Sequence, residues 1–399
     1  MSQILFEFHL DKTGKNLFYP ISSLSNLMSL TKNYFMIKRK EIRSLEPSEL
    51  MDLRMAMIAF QDSGGYYELA GYHGLPKHYC PHQDPVLFLA WHRYYIYKFE
   101  QGLREINSNV SLPYWDWTNK ATFANSIAPA HADQTFIDPT GTKRDNPLYS
   151  SDIYDKTRKT NRKPLQLRGS LISARSLVDF ALGNKTPTLP AIGRKLLPPH
   201  GSVHTGVGGD FSNSDLAAYD PLFWSHHANV DRQWAIWQSH NPDPAGQFLE
   251  DELRGFNGVR VRNVVQYQTL LGYEYDNLTY VIEPPHHRVI LQINGANMPM
   301  QSLIVEVFLQ QIDNNKKVSA GIFGIFGMGD MTGHMHHQML FDQYHDITEA
   351  LNRLDLHAKN IDPQKDVSFE IRDTHGNLLT NEILKYNNLT IEETTVELR

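Results

Sequence analysis

The 399-residue chain contains one cysteine, Cys80. A lone cysteine cannot form a disulfide within the chain, which excludes the disulfide-stapled scaffolds common among small secreted proteins. No uniformly apolar run is long enough to span a bilayer, so no membrane-spanning helix is predicted. The first residues include early acidic side chains and no basic-then-apolar pattern. We therefore expect no secretory signal peptide and, with it, a cytoplasmic location.

Neither sign of charge predominates strongly, because the chain has 38 lysines and arginines and 44 aspartates and glutamates. The resulting net charge of -6 gives no reason to expect a nucleic-acid partner. Hydrophobic residues make up 41% of the chain and aromatic residues 11%, which excludes a disordered protein. The length provides ample material for a core and suggests two or three domains.

Six histidines fall into two groups of three along the sequence. The first group is His73, His82 and His92, and the second is His200, His204 and His227. Three neutral imidazoles suit a copper ion that must keep an open position for a small ligand. Two such groups predict two copper ions side by side.

The spacing of these histidines favours helices that carry them to one site. His200 and His204 are four residues apart, so on a helix their rings lie on one face, one turn apart. His92 and His227 each open a predicted helical run, over 93–104 and 228–238. We expect the helix of His200 to begin only after Pro199. A pair with this spacing would also suit zinc, but a mononuclear zinc hydrolase would leave one histidine group unexplained.

Four stretches of the chain resemble the type-3 copper proteins, which comprise tyrosinases, catechol oxidases and molluscan haemocyanin units. They are Ala-Trp-His-Arg-Tyr-Tyr at 90–95, Leu-Pro-Tyr-Trp-Asp-Trp at 112–117, Asp-Pro-Leu-Phe-Trp-Ser-His-His-Ala-Asn-Val-Asp-Arg at 220–232 and Gly-Tyr-Glu-Tyr at 272–275. The resemblance runs from about residue 34 to the C-terminus. It implies that His73, His82 and His92 bind one copper and that His200, His204 and His227 bind the other.

The resemblance also implies roles for residues around the ligands. In the histidine pair, His227 is the ligand and His226 lines the pocket. Phe223 is expected to help wall that pocket. Asp231 is expected to partner a ligand or Arg232, because ligating imidazoles usually donate their second N–H to an acceptor.

Cys80 lies two residues before His82, and in many members of the family a Cys-x-His at this point forms a thioether. The resemblance therefore implies a bond from the sulfur of Cys80 to the imidazole of His82, with an ordinary reduced thiol as the alternative. The ten residues from His82 to His92 are slightly more than we expect. His78 is the fallback ligand if His82 is misassigned.

The hydrophobic pattern changes along the chain from helical to β-rich. Residues 45 to about 280 are mainly helical in pattern, and strands are predicted at 280–282, 288–293, 303–309 and 367–371. We predict an α+β protein with two domains. A helical domain over 1–280 contains a four-helix bundle around the binuclear copper site. A C-terminal β-sandwich over 281–399 is placed over the copper pocket by the resemblance.

Residues 320–327 are a candidate plug for that pocket. Glycines interrupt apolar residues there, which suits a flexible tip that presents Phe323 or Phe326 to the entrance. A strand pair inside the sandwich is the alternative. The methionines and histidines of 331–339 suit Cu(I), so copper delivery competes with a solvated loop.

The resemblance implies an oxidase that uses O2 to convert o-diphenols to o-quinones. We expect o-aminophenols to be oxidised as well. Relatives that hydroxylate monophenols well often have an Asn directly after the first ligand of the second copper and a Glu upstream. Here that position is Gly201, and no acidic residue lies between Asp179 and His200. We therefore expect monophenol activity to be slow or absent.

The expected partner is a small phenolic substrate, with no nucleic acid and no membrane, and the oligomeric state is left open. A haemocyanin-like oxygen carrier is the alternative function. The single cysteine, the lack of repeated units and the lack of a secretion signal favour the oxidase.

Overall fold

The computed structural model describes residues 6–10, 16–20, 36–82, 84–183, 186–282, 284–311, 316–329 and 340–397. A helical part comes first in the chain and two antiparallel sheets follow, so the predicted α+β class is confirmed. The segment 331–339, for which copper delivery was considered, lies outside the described residues. Within the described part of the chain, no helix is both long and apolar enough to cross a membrane.

Twelve α-helices are formed by the described residues. They are α1 Pro47–Asp62, α2 Gly65–His73, α3 Leu87–Ile106, α4 Lys120–Asn125, α5 Pro129–Ala132, α6 Leu167–Gly183, α7 Leu189–Val207, α8 Leu222–His240, α9 Arg262–Val265, α10 Tyr267–Leu270, α11 Thr348–Leu354 and α12 Pro363–Asp366. Among the long helices, α8 packs against α3, α6 and α7, and α7 also packs against α3 and α6. Every residue of α8 from Leu222 to Trp237 is buried, because neighbouring elements cover it on all sides.

The strands of the described residues fall into five sheets. They are β1 Phe6–Leu10, β2 Asn16–Pro20, β3 Ile37–Arg39, β4 Thr135–Ile137, β5 Lys143–Asp145, β6 Tyr273–Tyr275, β7 His287–Asn297, β8 Leu303–Gln311, β9 Lys316–Ile325, β10 Leu340–Asp346, β11 Val367–Asp373, β12 Leu378–Leu379 and β13 Asn388–Thr395. Two of the sheets, β10-β7-β13 and β12-β11-β8-β9, enclose one apolar core. They form the C-terminal sandwich, and strand β9 packs on helix α7.

Two local predictions were wrong. Helix α7 begins at Leu189, after an N-cap in which the Thr188 hydroxyl accepts a hydrogen bond from the Ala191 N–H. It continues through Pro198 and Pro199, because both prolines are buried and their packing outweighs the backbone hydrogen bonds that they cannot donate. The predicted strand 280–282 is absent. This segment runs as a loop, in which the Tyr280 hydroxyl donates a hydrogen bond to the Asp179 carboxylate on helix α6.

Candidate metal centre

The first histidine group comes together at the end of one helix, in a loop and inside a second helix. His73 closes α2, His82 lies in the loop that follows, and His92 is in the second turn of α3. All three side chains are buried. The ring centroid of His73 is 4.2 Å from that of His82 and 5.7 Å from that of His92.

The second group is carried by α7 and α8. The rings of His200 and His204 are 4.6 Å apart, as the four-residue spacing on one helix requires. Helix α8 brings the His227 ring to 4.9 Å from His200, and the Nε2 atoms of His204 and His227 lie 3.4 Å apart. Two Nε2 atoms at this distance are close enough to bind one metal ion together.

The two groups face each other across a short gap. The ring of His92 stacks on that of His227, with centroids 4.2 Å apart and 8° between the planes. Phe223, one turn before His227, fills the space between the groups, 4.7 Å from His73 and 4.2 Å from His227. The role of Phe223 as a wall of the substrate pocket stays a prediction.

Backbone carbonyls fix the orientation of three of the rings. Nδ1 of His73 donates to the Ser214 carbonyl at 3.1 Å. Nδ1 of His92 donates to Phe88 and that of His204 to Phe211, each at 2.8 Å. A carbonyl can only accept, so Nδ1 carries the proton in each ring and the Nε2 lone pair remains available.

Several ring nitrogens in the centre are buried without a hydrogen-bond partner among the described residues. They include Nε2 of His73, Nε2 of His200 and both nitrogens of His82. Unpaired buried nitrogens are costly unless a water or a metal ion satisfies them. The orphaned nitrogens and the carbonyl-fixed tautomers therefore fit two copper ions, one in each group.

The protonation states agree with this fit. Burial, followed by repulsion from His78, lowers the pKa of His82 to about 3, and burial lowers that of His204 to about 3. Burial also lowers the pKa of His73, His92 and His200 well below the usual range. The rings are therefore neutral at physiological pH, as metal ligands must be.

His226 lies beside the second group and its role stays a prediction. Its ring stacks on His200 at 5.2 Å and 16°, and its ligand atoms are close enough to be grouped with His200, His204 and His227. Both of its ring nitrogens are buried, and neither has a partner in the described part of the chain. The ring of Trp117, in the loop between α3 and α4, lies 5.8 Å from the ring of His226.

Comparisons with known proteins agree with this geometry. The family model described as the common central domain of tyrosinase matches residues 63–240, which contain both histidine groups. Hemocyanin 2 of Megathura crenulata is 30% identical over 396 residues, covering 87% of this chain. The A-type hemocyanin of Enteroctopus dofleini, units Ode to Odg, is 28% identical over 87% of this chain. The chain spans only 11% and 31% of the length of these two relatives.

The chain belongs to the type-3 copper protein family. A functional unit of Octopus hemocyanin superposes with a TM-score of 0.71 at 25% identity, covering 89% of this chain and 99% of that one. Tyrosinase from Burkholderia thailandensis shares the fold, with a TM-score of 0.66 at 19% identity over 90% of this chain and 100% of that one. Members of the family bind two copper ions. In this chain the ligand atoms of His200, His204, His226 and His227 form one close group, and those of His73, Cys80 and His92 form another.

In this type-3 copper protein, Cys80 contacts a different histidine from the one predicted. Its buried Sγ lies 3.4 Å from Nε2 of His92, and burial raises the pKa of the thiol. The thioether to His82 stays a prediction. The fallback ligand His78 faces another way, since its Nδ1 lies 3.7 Å from a carboxylate oxygen of Asp215.

The prediction that Asp231 partners Arg232 or a ligand was wrong. It accepts from Arg93 Nε at 2.5 Å, from the Tyr273 and Tyr275 hydroxyls at 2.5 and 2.6 Å, and from Arg39 at 3.4 Å. Arg232 donates instead to the carbonyl of residue 277 and pairs with the carboxylate of residue 116. Arg93 follows His92 on α3 and Asp231 lies one turn after His227 on α8, so this pair fixes the two ligand helices relative to each other.

The β-sandwich covers the centre with one of the two predicted plug residues. Phe326 follows strand β9, belongs to the core of the helical part and stacks on His204 at 4.2 Å and 20°. Phe323 packs inside the sandwich core, 5.5 Å from His345, so its candidacy as a plug was wrong. The cavity between Phe326, His82, His200 and the sandwich has a volume of about 20 Å³.

The sequence also missed why this segment is rich in glycine. A Cβ on Gly324 would lie 1.6 Å from Oγ1 of Thr205, and one on Gly327 would lie 2.4 Å from the backbone of Gln301. These glycines allow close approach between the segment and its neighbours rather than forming a flexible tip.

Proposed function

We propose that this protein holds two copper ions that react with O2, and that it is an o-diphenol oxidase in a closed, latent form. The observation that carries the proposal is the stacking of Phe326 on His204 beside a cavity of about 20 Å³. Such a cavity has room for about one water-sized molecule. A diphenol is several times larger and enters only when the Phe326 segment moves.

The proposed reaction takes two o-diphenols and one O2 to two o-quinones and two water molecules. A bound copper pair supplies the two-electron chemistry between dioxygen and the phenol. The protein holds the ligand rings neutral and fixed through the carbonyls of Ser214, Phe88 and Phe211. The rings of Phe223 and Phe326 keep bulk water away from the reacting centre.

The proposed substrates are small phenolic molecules with an ortho hydroxyl or amino group. Monophenols need a group that takes up the phenol proton, and Gly201, directly after His200, offers none. We therefore place monophenol hydroxylation well below diphenol oxidation. No nucleic acid or membrane takes part in this proposal.

A second candidate is a reversible oxygen carrier. Two observations favour it: the two sequence relatives reported above are hemocyanins, and the small cavity admits a diatomic gas more readily than a phenol. The two functions differ in access, because a carrier never admits the phenol whereas a latent oxidase does so once its cover moves.

Oxygen uptake by the copper-loaded, full-length protein tests the proposal. Catechol is added before and after a mild treatment that loosens the sandwich, such as a low concentration of SDS. The latent oxidase shows little uptake before the treatment and rapid uptake after it, with quinone formed. A protein that binds and releases O2 reversibly as the oxygen pressure changes, but never consumes it with catechol, is a carrier and contradicts the oxidase.

A further inference from the structure

The segment that carries Phe326 is held on both sides by serine hydroxyls. Gly324 precedes the phenylalanine by two residues, and its N–H donates to Ser202 Oγ at 3.0 Å. Gly327 follows it directly, and its N–H donates to Ser302 Oγ at 2.9 Å. Both serines are buried, so water does not compete for these two hydrogen bonds.

Ser202 ties the segment to the helix of the second histidine group. It lies on α7 between His200 and His204, and its Oγ also lies 3.5 Å from the Gly324 carbonyl. The absence of a side chain on Gly324 lets β9 approach α7 closely enough for these contacts. The hydroxyl therefore joins the covering strand to the helix that presents the proposed ligands.

Ser302 ties the other side of the segment to the loop behind His204. Its hydroxyl donates to the Ser212 carbonyl at 2.5 Å. The preceding residue, Phe211, accepts the Nδ1 proton of His204 at 2.8 Å. Ser302 thus links Gly327 to the same loop that fixes the ring on which Phe326 stacks.

We propose that Ser202 and Ser302 are positioning residues that form a latch, which holds Phe326 over the second histidine group and controls how often the pocket opens. This inference deepens the proposed function and rests on it for its effect on diphenol entry. The latch itself is a property of the protein chain and can be measured without copper. The latch holds residues 324–327 only, and other contacts attach the rest of the sandwich to the helical part.

Hydrogen exchange of the metal-free, full-length protein tests the latch. We compare Ser202→Ala and Ser302→Ala with the wild type and follow the peptide that covers 322–329. Loss of one buried hydrogen bond should speed exchange of the Gly324 or Gly327 amide by about tenfold. The matched control is Ser176→Ala, because the Ser176 hydroxyl also joins the two domains, through Asp346, but not at the Phe326 segment.

The result expected is faster exchange at 322–329 in both latch variants and wild-type exchange there in Ser176→Ala. Unchanged exchange in both latch variants overturns the proposal, and so does an equal rise in the control. The two single variants are independent, so one that fails to fold leaves the other as the test.

Catechol oxidation by the copper-loaded variants separates this inference from the proposed function. If the latch variants exchange faster and also show a lower KM for catechol, both stand. If exchange rises while no variant oxidises catechol, the latch is supported and the oxidase proposal fails.

Discussion

The ring of Phe326 stacks on the ring of His204, with centroids 4.2 Å apart and 20° between their planes. The phenylalanine follows the last residue of strand β9, whereas the histidine lies on helix α7. His204 is fixed from behind by the carbonyl of Phe211. A residue next to the sandwich therefore covers a ring of the candidate metal centre that a backbone carbonyl holds in place. We expect the pocket to open only when the two parts of the protein separate locally.

His227 and His226 should differ in their effect on copper content. His227→Ala should reduce the protein from two bound copper ions to one, because Nε2 of His227 lies 3.4 Å from that of His204, close enough to bind the same ion. His226→Ala should retain both ions, because His200, His204 and His227 already supply the three imidazoles that one copper ion needs. Metal analysis after reconstitution and dialysis measures this. The reverse pattern would show that the ligand in the pair is His226.

Replacing Asp231 should strongly destabilise the protein. Asp231→Ala leaves the buried guanidinium of Arg93 without its carboxylate, which typically costs about 3–5 kcal/mol. The control is Glu250→Ala, whose ion pair with Arg262 is exposed and should contribute little. Urea denaturation of the metal-free variants gives both values. Similar stabilities for the two variants would show that the Asp231 cluster does not hold α3 and α8 together.

His131 should make the protein less stable in acid. Burial, followed by repulsion from Arg162, lowers its pKa from 6.5 to about 3, while Nδ1 and Nε2 bond Leu148 and Ser225. The unfolded chain takes up this proton below about pH 6.5, so stability is lost progressively from pH 6.5 towards pH 3. Between pH 6.5 and pH 5 the loss from this group is roughly 2 kcal/mol.

To test this acid effect, the change in the free energy of unfolding between pH 7 and pH 5 is measured for metal-free wild type and for metal-free His131→Gln. His131→Gln removes the titrating group, so its stability should fall less between pH 7 and pH 5 than that of the wild type. Equal losses in the two proteins would exclude His131 as a contributor.

Much of the metal centre could be predicted from the sequence because its signals are local. The spacing of His200 and His204 places both rings on one helix face. The short motifs around His92 and His227 mark these two histidines as further candidate ligands. The cluster of Arg39, Glu100 and Asp231 could not be predicted in this way. Arg39 lies 61 residues from Glu100 and 192 from Asp231 in the chain, and no periodic pattern relates positions so far apart.

The choice between Phe323 and Phe326 also lay beyond the sequence. Both follow the same alternation of glycine and apolar residues, and only the end of β9 separates them. Phe323 pairs with Val305 inside the sheet, whereas Phe326 falls after the last strand residue and turns towards the histidines. The burial of Pro198 and Pro199 within α7 is likewise decided by packing rather than by local preference.

The structure changes what is expected from Gly201→Asn. A Cβ at this position would lie 3.4 Å from both Cβ and N of Phe326, already in van der Waals contact, so the amide of Asn has little room on the side of the covering segment. We expect the substitution to raise monophenol hydroxylation only slightly in the wild type and more in a Phe326→Ala background. Rates with a simple monophenol for both single variants and the double variant measure this. If the effects of the two substitutions on the monophenol rate simply multiply in the double variant, the side chain at position 201 does not press on Phe326 and this account is contradicted.

Catechol oxidation by copper-loaded Phe326→Ala tests the central claim most directly. Removing the ring from His204 should raise kcat/KM for catechol by about tenfold or more over the wild type. Phe323→Ala is the control, because Phe323 is also buried but lies in the sandwich core. A rise confined to Phe326→Ala is the predicted result. No oxidation by any of the three proteins with two copper ions bound, or an equal rise in both variants, would contradict a centre closed by Phe326.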